Sequence, residues 1–269
     1  MRGIQVLQDV DTIAAEDTRH TGKLLHHFQI KTPQISYHQH NEQQRIPELI
    51  GQLQSGKSIA LVTDAGMPGI SDPGYLIVAA CVAAGIRVIP IPGVTAVITA
   101  VSASGLPSDR FAFEGFLPAK GQERKDRLEG VSGDARTLVF YESPHRLRQT
   151  LADFGSTFGA DRQIAIGREL TKLHEEFWRG SINGAIEHYA YTEPQGEYVL
   201  VLAGAPVSQP TLSSAAIDRA LIELMLAGTS RSQASKIVAE QISQSRRYVY
   251  QLALEIDIDA AKSEIVDRI

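Results

Sequence analysis

Cysteine is almost missing from this chain. Cys81 stands alone among 269 residues, which excludes internal disulfides and any cysteine-based metal site. Long apolar runs are also missing. No stretch of about eighteen apolar residues free of charge occurs, so the sequence offers no membrane-spanning helix. The opening MRGIQVLQDVD has one arginine, no apolar core and an early aspartate, which does not fit a secretory leader. These absences together point to the cytoplasm. An excess of positive charge is lacking too: the net charge is −5, and none of the segments 1–108, 109–205 and 206–269 holds more basic than acidic residues. Bulk charge therefore does not announce a nucleic-acid binder. Local basic clusters do exist, in KGQERKDR (Lys120 to Arg127) and at Arg246-Arg247.

What is present is the balance of an ordinary globular protein, 43% hydrophobic and 21% charged, in a chain long enough for two domains or slightly more. Strand-like and helix-like stretches alternate through the first hundred residues. VDTIAAE (10–16), QISYHQ (34–39), SIALVTD (58–64) and IRVIPIPG (86–93) read as strands. TGKLLHHFQ (21–29), IPELIGQLQSG (46–56), DPGYLIVAACVAAG (72–85) and VTAVITAVSASG (94–105) read as helices. In 72–85, Pro73 sits at the first turn and Gly85 supplies the stop. Such alternation predicts a mostly parallel α/β sheet. A second unit begins near Pro107, with strands at FAFEGFL (111–117), RTLVFYE (136–142), QIAIGRE (163–169) and GEYVLVLAG (196–204). The last is almost continuously apolar, as a strand buried on both faces would be. APVSQPTLSS (205–214) is a linker by composition, and three short amphipathic helices with a tight turn follow it, in the manner of a helix-turn-helix. The domain boundaries expected are 1–106, 107–205 and 212–269.

Two patterns carry no chemistry. Gly51 to Ser58 fits the G-x-x-x-x-G-K-[ST] expression, but a helix precedes it and a strand follows, the reverse of the order that aims helix amides at phosphate. The histidine groups His26-His27, His38-x-His40 and His174 lack zinc-site spacing, so no metal is expected. The informative segment is TDAGMPGISDPG (63–74), directly after the strand ALV. Its glycines and prolines forbid regular structure, and loops at the carboxyl ends of parallel strands are where α/β proteins bind ligands. Gly66 and Gly69 would let backbone groups approach a ligand closely. IPIPGVTA (89–96) offers a second such loop.

These residues also carry a resemblance. AAEDTRHTG, HNEQQ, DAGMPGISDPG, PGVTAVITAVSASGLPSDRF, FEGFLPAKG, FYESPHRL and GRELTK resemble, in order, the small-subunit rRNA cytidine 2′-O-methyltransferase I family of the tetrapyrrole-methylase-like enzymes. The likeness covers about residues 2–256. It implies two α/β domains of the tetrapyrrole-methylase type with a small C-terminal helical unit, clasping S-adenosylmethionine, usually as a homodimer. The implied substrate is small-subunit rRNA, or the assembled small ribosomal subunit, methylated on a cytidine ribose in the decoding region. The residues that fall on the cofactor motifs are Asp64, Ala65, Gly66, Gly69, Thr95, Ala96, Tyr141, Glu142 and Leu170. A ribose hydroxyl needs a proton acceptor, for which Glu142, Glu169 and His38 are candidates. Lys120, Arg124, Arg127, Arg168, Arg246 and Arg247 are candidates for RNA contact. The likeness begins late: family members open with a strand and a first Pro/Gly loop, whereas Gly3 to Asp9 matches the helix that follows, so cofactor binding by a chain without that loop is an open expectation. Two alternative functions remain at this stage, methylation of a small macrocycle and non-catalytic ribosome binding.

Overall fold

In a parallel α/β unit each strand must bury both faces, and the first strand shows how the chain does so. The computed structural model describes residues 1–206, 214–242, 244–256 and 258. Strand β1 (Thr12–Ala15) is buried along its whole length. Ile13 and Ala15 face one cluster with Leu25 and Ile30, and Ala14 faces another with Tyr37, Leu49, Ile77 and Cys81. That is the two-residue period of a strand sandwiched between helices. Helix α1 (Arg2–Asp9) and helix α2 (Thr18–His27) supply the first face, with Ile4 and Leu7 packed beside Leu25. Helices α3 (Glu42–Gln54) and α4 (Tyr75–Ala83) supply the second. Strands β2 (Gln34–Ser36) and β3 (Ile59–Val62) flank β1 in parallel, in the order β2-β1-β3.

Two local expectations are corrected. Residues 86–93 are not a strand. Pro90 and Pro92 lack the N–H a ladder needs, no described strand pairs with the segment, and Val88 and Ile89 stand about half exposed at 45% and 50%. Helix α4 begins at Tyr75 rather than at Asp72. Gly74, at φ 147°, breaks the chain direction before it, and the Pro73 carbonyl accepts from the Gly69 amide at 3.2 Å instead of opening the helix.

Helix α5 (Ala96–Ser104) is capped by Thr95, whose hydroxyl accepts from the Ile98 amide at 3.2 Å, and ends on Gly105 in the left-handed region. It leads into a five-stranded mixed sheet of order β4-β5-β8-β6-β7. These strands are β4 (Phe111–Phe116), β5 (Thr137–Glu142), β6 (Gln163–Arg168), β7 (Glu176–Ser181) and β8 (Tyr198–Leu202). Strand β8 is central and buried throughout. Val199 and Val201 meet α5 through Val97, Ala100 and Val101. Tyr198, Leu200 and Leu202 meet helices α7 (Leu147–Phe158) and α8 (Ile182–Tyr191) through Leu147, Leu151, Phe154, Ile182 and Ala185. Helix α6 (Gln122–Val131) joins β4 to β5. Strand β7 is not expected from the sequence, because EFWRGS, with Glu176 and Arg179 exposed at a sheet edge, gives only a weak apolar pattern.

The chain divides into two compact units, Met1–Ala205 and Pro206–Ile269. In the second, helices α9 (Ser214–Leu226), α10 (Arg231–Gln241) and α11 (Arg246–Glu255) enclose their own core of Leu221, Ala234, Val238, Val249 and Ala253. The N-cap Ser245 accepts from the Tyr248 amide at 3.2 Å and sets the start of α11.

Candidate functional site

The loop after β3 cannot be regular, and its backbone shows why. Gly66, Gly69 and Gly74 have φ of 74°, 81° and 147°, and Ser71 joins them at 63°. Hydrogen bonds within the loop hold this shape: Ile70 N–H to the Met67 carbonyl at 3.2 Å, and the Thr63 hydroxyl to the Ala65 carbonyl at 3.1 Å. The Asp64 amide donates to Glu16 Oε2 at 3.2 Å, tying the loop to the end of β1. At Gly74 a Cβ would lie 2.8 Å from the Gly69 nitrogen, so this glycine is required by close packing as well as by φ.

A second turn, after β6, is built with equal strain. Glu169 and Thr171 both lie at positive φ, 47° and 67°. Of the four described non-glycine residues with positive φ, Gln29, Ser71, Glu169 and Thr171, the last three line one cavity. Backbone strain of this kind, about 1–3 kcal/mol per residue, persists where surrounding structure holds it, and clusters at functional sites. The holding groups are visible here. Glu169 Oε1 accepts from Lys172 Nζ and from the Glu197 amide, both at 2.9 Å. Lys172 also reaches Glu197 Oε2 at 3.0 Å. The Glu197 amide, then the Lys172 ammonium, hold the Glu169 carboxyl below its ordinary range. Gly196 makes room for it, since a Cβ there would sit 2.5 Å from Glu169 Cγ.

The cavity between these turns has a volume of about 340 Å³. Its walls come from the loop after β3, the start of α5, the ends of β4 and β5, and the turns flanking β6 and β8. Apolar side chains dominate, with Met67, Ile70, Val94, Phe116, Tyr141, Leu170 and Val199 around a few charged groups. That composition and size suit a small organic ligand. Tyr141 packs edge-on to Phe113 at 4.9 Å and tilted to Phe116 at 5.5 Å, and burial raises its hydroxyl pKa.

The family model for Tetrapyrrole (Corrin/Porphyrin) Methylases matches residues 1–185. The ribosomal RNA small subunit methyltransferase I of Synechocystis is 53% identical over 259 residues, covering 96% of this chain and 93% of that protein. Its counterpart in Escherichia coli O157:H7 is 44% identical over 256 residues, covering 94% and 89%. The chain belongs to the ribosomal RNA small subunit methyltransferase I family. Among solved structures it is similar in fold to uroporphyrin-III-C-methyltransferase from Thermus thermophilus (TM-score 0.52, 20% identity, covering 75% of this chain and 86% of that one). It is also similar to a diphthine synthase (TM-score 0.58, 12% identity, covering 76% and 83%).

With the family in view, the residues singled out from sequence separate into groups. Ala65, Gly66, Thr95, Ala96, Tyr141, Glu142 and Leu170 line the cavity, whereas Asp64, Gly69 and His38 do not. Asp64 instead faces His20 at 3.7 Å, and Gly69 shapes the loop from behind. His38 stacks edge-on with His40 at 5.9 Å. Glu142 is fully buried. Its carboxylate accepts from the Ser143 amide at 2.8 Å, Arg146 at 2.9 Å and the Thr150 hydroxyl at 2.6 Å. Thr150 in turn accepts from Arg124 at 2.7 Å, and Arg124 pairs with Asp153 at 2.7 Å and donates to the Pro118 carbonyl at 3.0 Å. So Arg124 points inward, and its donors serve the fold rather than a phosphate.

Arg168 is similarly engaged, with the Gln195 carbonyl at 2.8 Å and Glu176 at 3.0 Å, and Arg127 pairs with Glu114 at 2.8 Å. Lys120 is exposed beside a shallow groove along α6. Arg246 and Arg247 are exposed at the first turn of α11 next to exposed Tyr248, and Arg246 donates to Ser232 at 2.9 Å. Sequence reasoning missed Asp72, Ser71, Thr171, Lys172 and Glu197 as cavity residues. Asp72 could have been found as the second acid, after Asp64, inside the glycine-rich loop. Lys172 and Glu197 meet only through the pairing of β6 with β8.

Proposed function

We propose that this chain transfers a methyl group from S-adenosylmethionine to the ribose 2′-hydroxyl of a cytidine in the decoding region of small-subunit rRNA. The observation that carries the reading is the cavity, formed by the strained loop after β3 and the strained turn after β6 in a chain of this family. When bound, the cofactor supplies a methyl group activated on a positively charged sulfur. The residues present fit such a group. Ala65, Gly66, Thr95 and Ala96 offer close backbone approach, Tyr141 and Leu170 offer apolar surface for a purine ring, and Asp72, Glu169 and Glu197 give the cavity the negative field a cation prefers.

The protein's contribution is positioning and exclusion of water, and in-line transfer between aligned groups gains most of its rate from such alignment. Glu142 serves this by fixing β5 to α7 through Arg146 and Thr150. Exposed Lys120, Arg246 and Arg247, with Tyr248, would hold RNA phosphates and stack on a base. RNA substrate, rather than a macrocycle, is favoured by relatives at 43–53% identity over most of the chain.

We further read the protein as a cytoplasmic homodimer. Among the described residues no helix is long and apolar enough to cross a membrane. The exposed row Tyr75, Val78 and Val82 on one face of α4, with Val88, Ile89 and Ile98 also exposed in this unit, is apolar surface that a second copy would cover. The functional test is incubation with methyl-labelled S-adenosylmethionine and unmodified small ribosomal subunits, with a tetrapyrrole as competitor. Labelled rRNA supports the reading. A labelled macrocycle, or inert subunits despite cofactor binding, would overturn it.

A further inference from the structure

Resting on the methyl-transfer reading above, one question about the cavity remains: which group takes the proton from the attacking hydroxyl. Among the described residues four carboxylates line the cavity, Asp72, Glu142, Glu169 and Glu197. Glu142 is filled by three donors and has no exposed surface. Glu169 is held by Lys172 and the Glu197 amide, and Glu197 by Lys172. Carboxylates pinned by donors are poor proton acceptors. Asp72 differs. Among the described residues no hydrogen bond or ion pair engages it, and it sits half-buried at the mouth of the strained loop.

Its surroundings reinforce this. Glu16 approaches from the end of β1, Asp64 from the end of β3 and Glu197 from the start of β8, all with negative charge, and Tyr141 faces it from β5. Among the described residues the charges acting on it are all negative. Burial, then repulsion from Glu16, Asp64 and Glu197, lifts its pKa to about 6. A carboxyl so placed is ionised at neutral pH and is a stronger base than an ordinary aspartate.

We propose that Asp72 is the proton acceptor of the reaction. As the hydroxyl oxygen bonds to the methyl carbon, the carbon–sulfur bond breaks with its electron pair left on sulfur, and the hydroxyl proton passes to the Asp72 carboxylate. The sulfur ends neutral, Asp72 ends protonated, and the proton then leaves to water. Glu142 and Glu169 are positioning residues on this account, and His38, outside the cavity, has no part.

The test compares wild type, Asp72→Asn and Asp72→Glu. Asn is close to isosteric and removes one charge from a crowded cluster, so the variant should fold. Single-turnover transfer to small subunits at saturating S-adenosylmethionine should rise with pH in wild type and level off above about pH 6. Asp72→Asn should lose about a hundredfold or more in rate and the inflection with it, with a far smaller loss of cofactor affinity by calorimetry. Asp72→Glu should keep part of the rate and an inflection. Independently of activity, a carbon-13 carboxyl titration of the unliganded protein should place Asp72 near pH 6. An Asn variant that keeps the wild-type profile, a loss residing wholly in cofactor affinity, or a carboxyl titrating in the ordinary aspartate range would each overturn the assignment. Wild type that binds cofactor yet labels no RNA would bring down the functional reading and this proposal together. An active wild type with an unaffected Asn variant would bring down only the proposal.

Discussion

Gly74→Ala probes whether the loop after β3 is shaped for binding or merely connects. Gly74 has φ 147°, and an added Cβ would meet the Gly69 nitrogen at 2.8 Å, Leu61 Cδ2 at 3.1 Å and the Pro68 carbonyl carbon at 3.2 Å. Two of these neighbours are backbone and cannot rotate away. Placing a side chain at positive φ costs about 1–2 kcal/mol, and overpacking adds about 1–3 kcal/mol. The sum, about 2–5 kcal/mol, is below the whole stability of a domain at about 5–15 kcal/mol, so the protein should still fold. The strain is relieved most cheaply by pushing the Gly69 amide away from the Pro73 carbonyl it now contacts at 3.2 Å. That displaces residues 65–72, several of which line the cavity. Since about 1.4 kcal/mol is tenfold in binding, calorimetry should show S-adenosylmethionine affinity reduced by about tenfold or more, with a lowered melting temperature. Gly56→Ala is the control. It has φ 92° but nothing within 4 Å, so it should lower stability and leave cofactor affinity alone. Unchanged affinity and melting in Gly74→Ala would refute the reasoning.

Other outcomes follow from the same geometry. Gly66→Val, at φ 74° on the cavity wall, should weaken cofactor binding about tenfold through lost backbone approach, read by calorimetry. Arg124→Met should lower stability in urea by about 2–4 kcal/mol, because Asp153 and Thr150 lose a largely buried donor, while RNA retention by the folded fraction stays unchanged. Arg246→Ala with Arg247→Ala should weaken RNA binding and flatten its salt dependence, with cofactor affinity intact. For Asp72 the folded pKa, about 6, lies above the ordinary aspartate value of 3.8. Its stabilising contribution is therefore complete below the unfolded value and lost as pH rises through about 6. Above that pH, at neutral and alkaline values alike, Asp72→Asn should be more stable than wild type by about 1 kcal/mol once half-exposure is allowed for, read as a higher melting temperature, with no difference in acid.

How much of this was legible beforehand depended on how local the cause was. The strand–helix order, the fully buried β8 and the glycine-rich loop could be read because apolar period and φ-permissive residues are properties of short segments. Segment 86–93 misled because its apolar content says strand, while its two prolines and the lack of a partner decide otherwise. Strand β7 was hidden because an edge strand keeps charged residues outward. The roles of Arg124 and Glu142 were not legible either. Only packing of α6 against α7 makes them one buried network through Thr150. Lys172 and Glu197 likewise meet across a sheet pairing that no local pattern announces.

Alkaline digestion of the labelled RNA tests the central claim most directly. A methylated 2′-hydroxyl cannot attack the adjoining phosphate, so the modified nucleotide survives alkali as a dinucleotide with its 3′ neighbour. After reaction of the purified protein with methyl-labelled S-adenosylmethionine and unmodified small subunits, the account predicts label in one alkali-resistant dinucleotide whose 5′ residue is cytidine. Label released wholly as mononucleotides would place the methyl on a base and contradict it, as would label spread over many resistant dinucleotides.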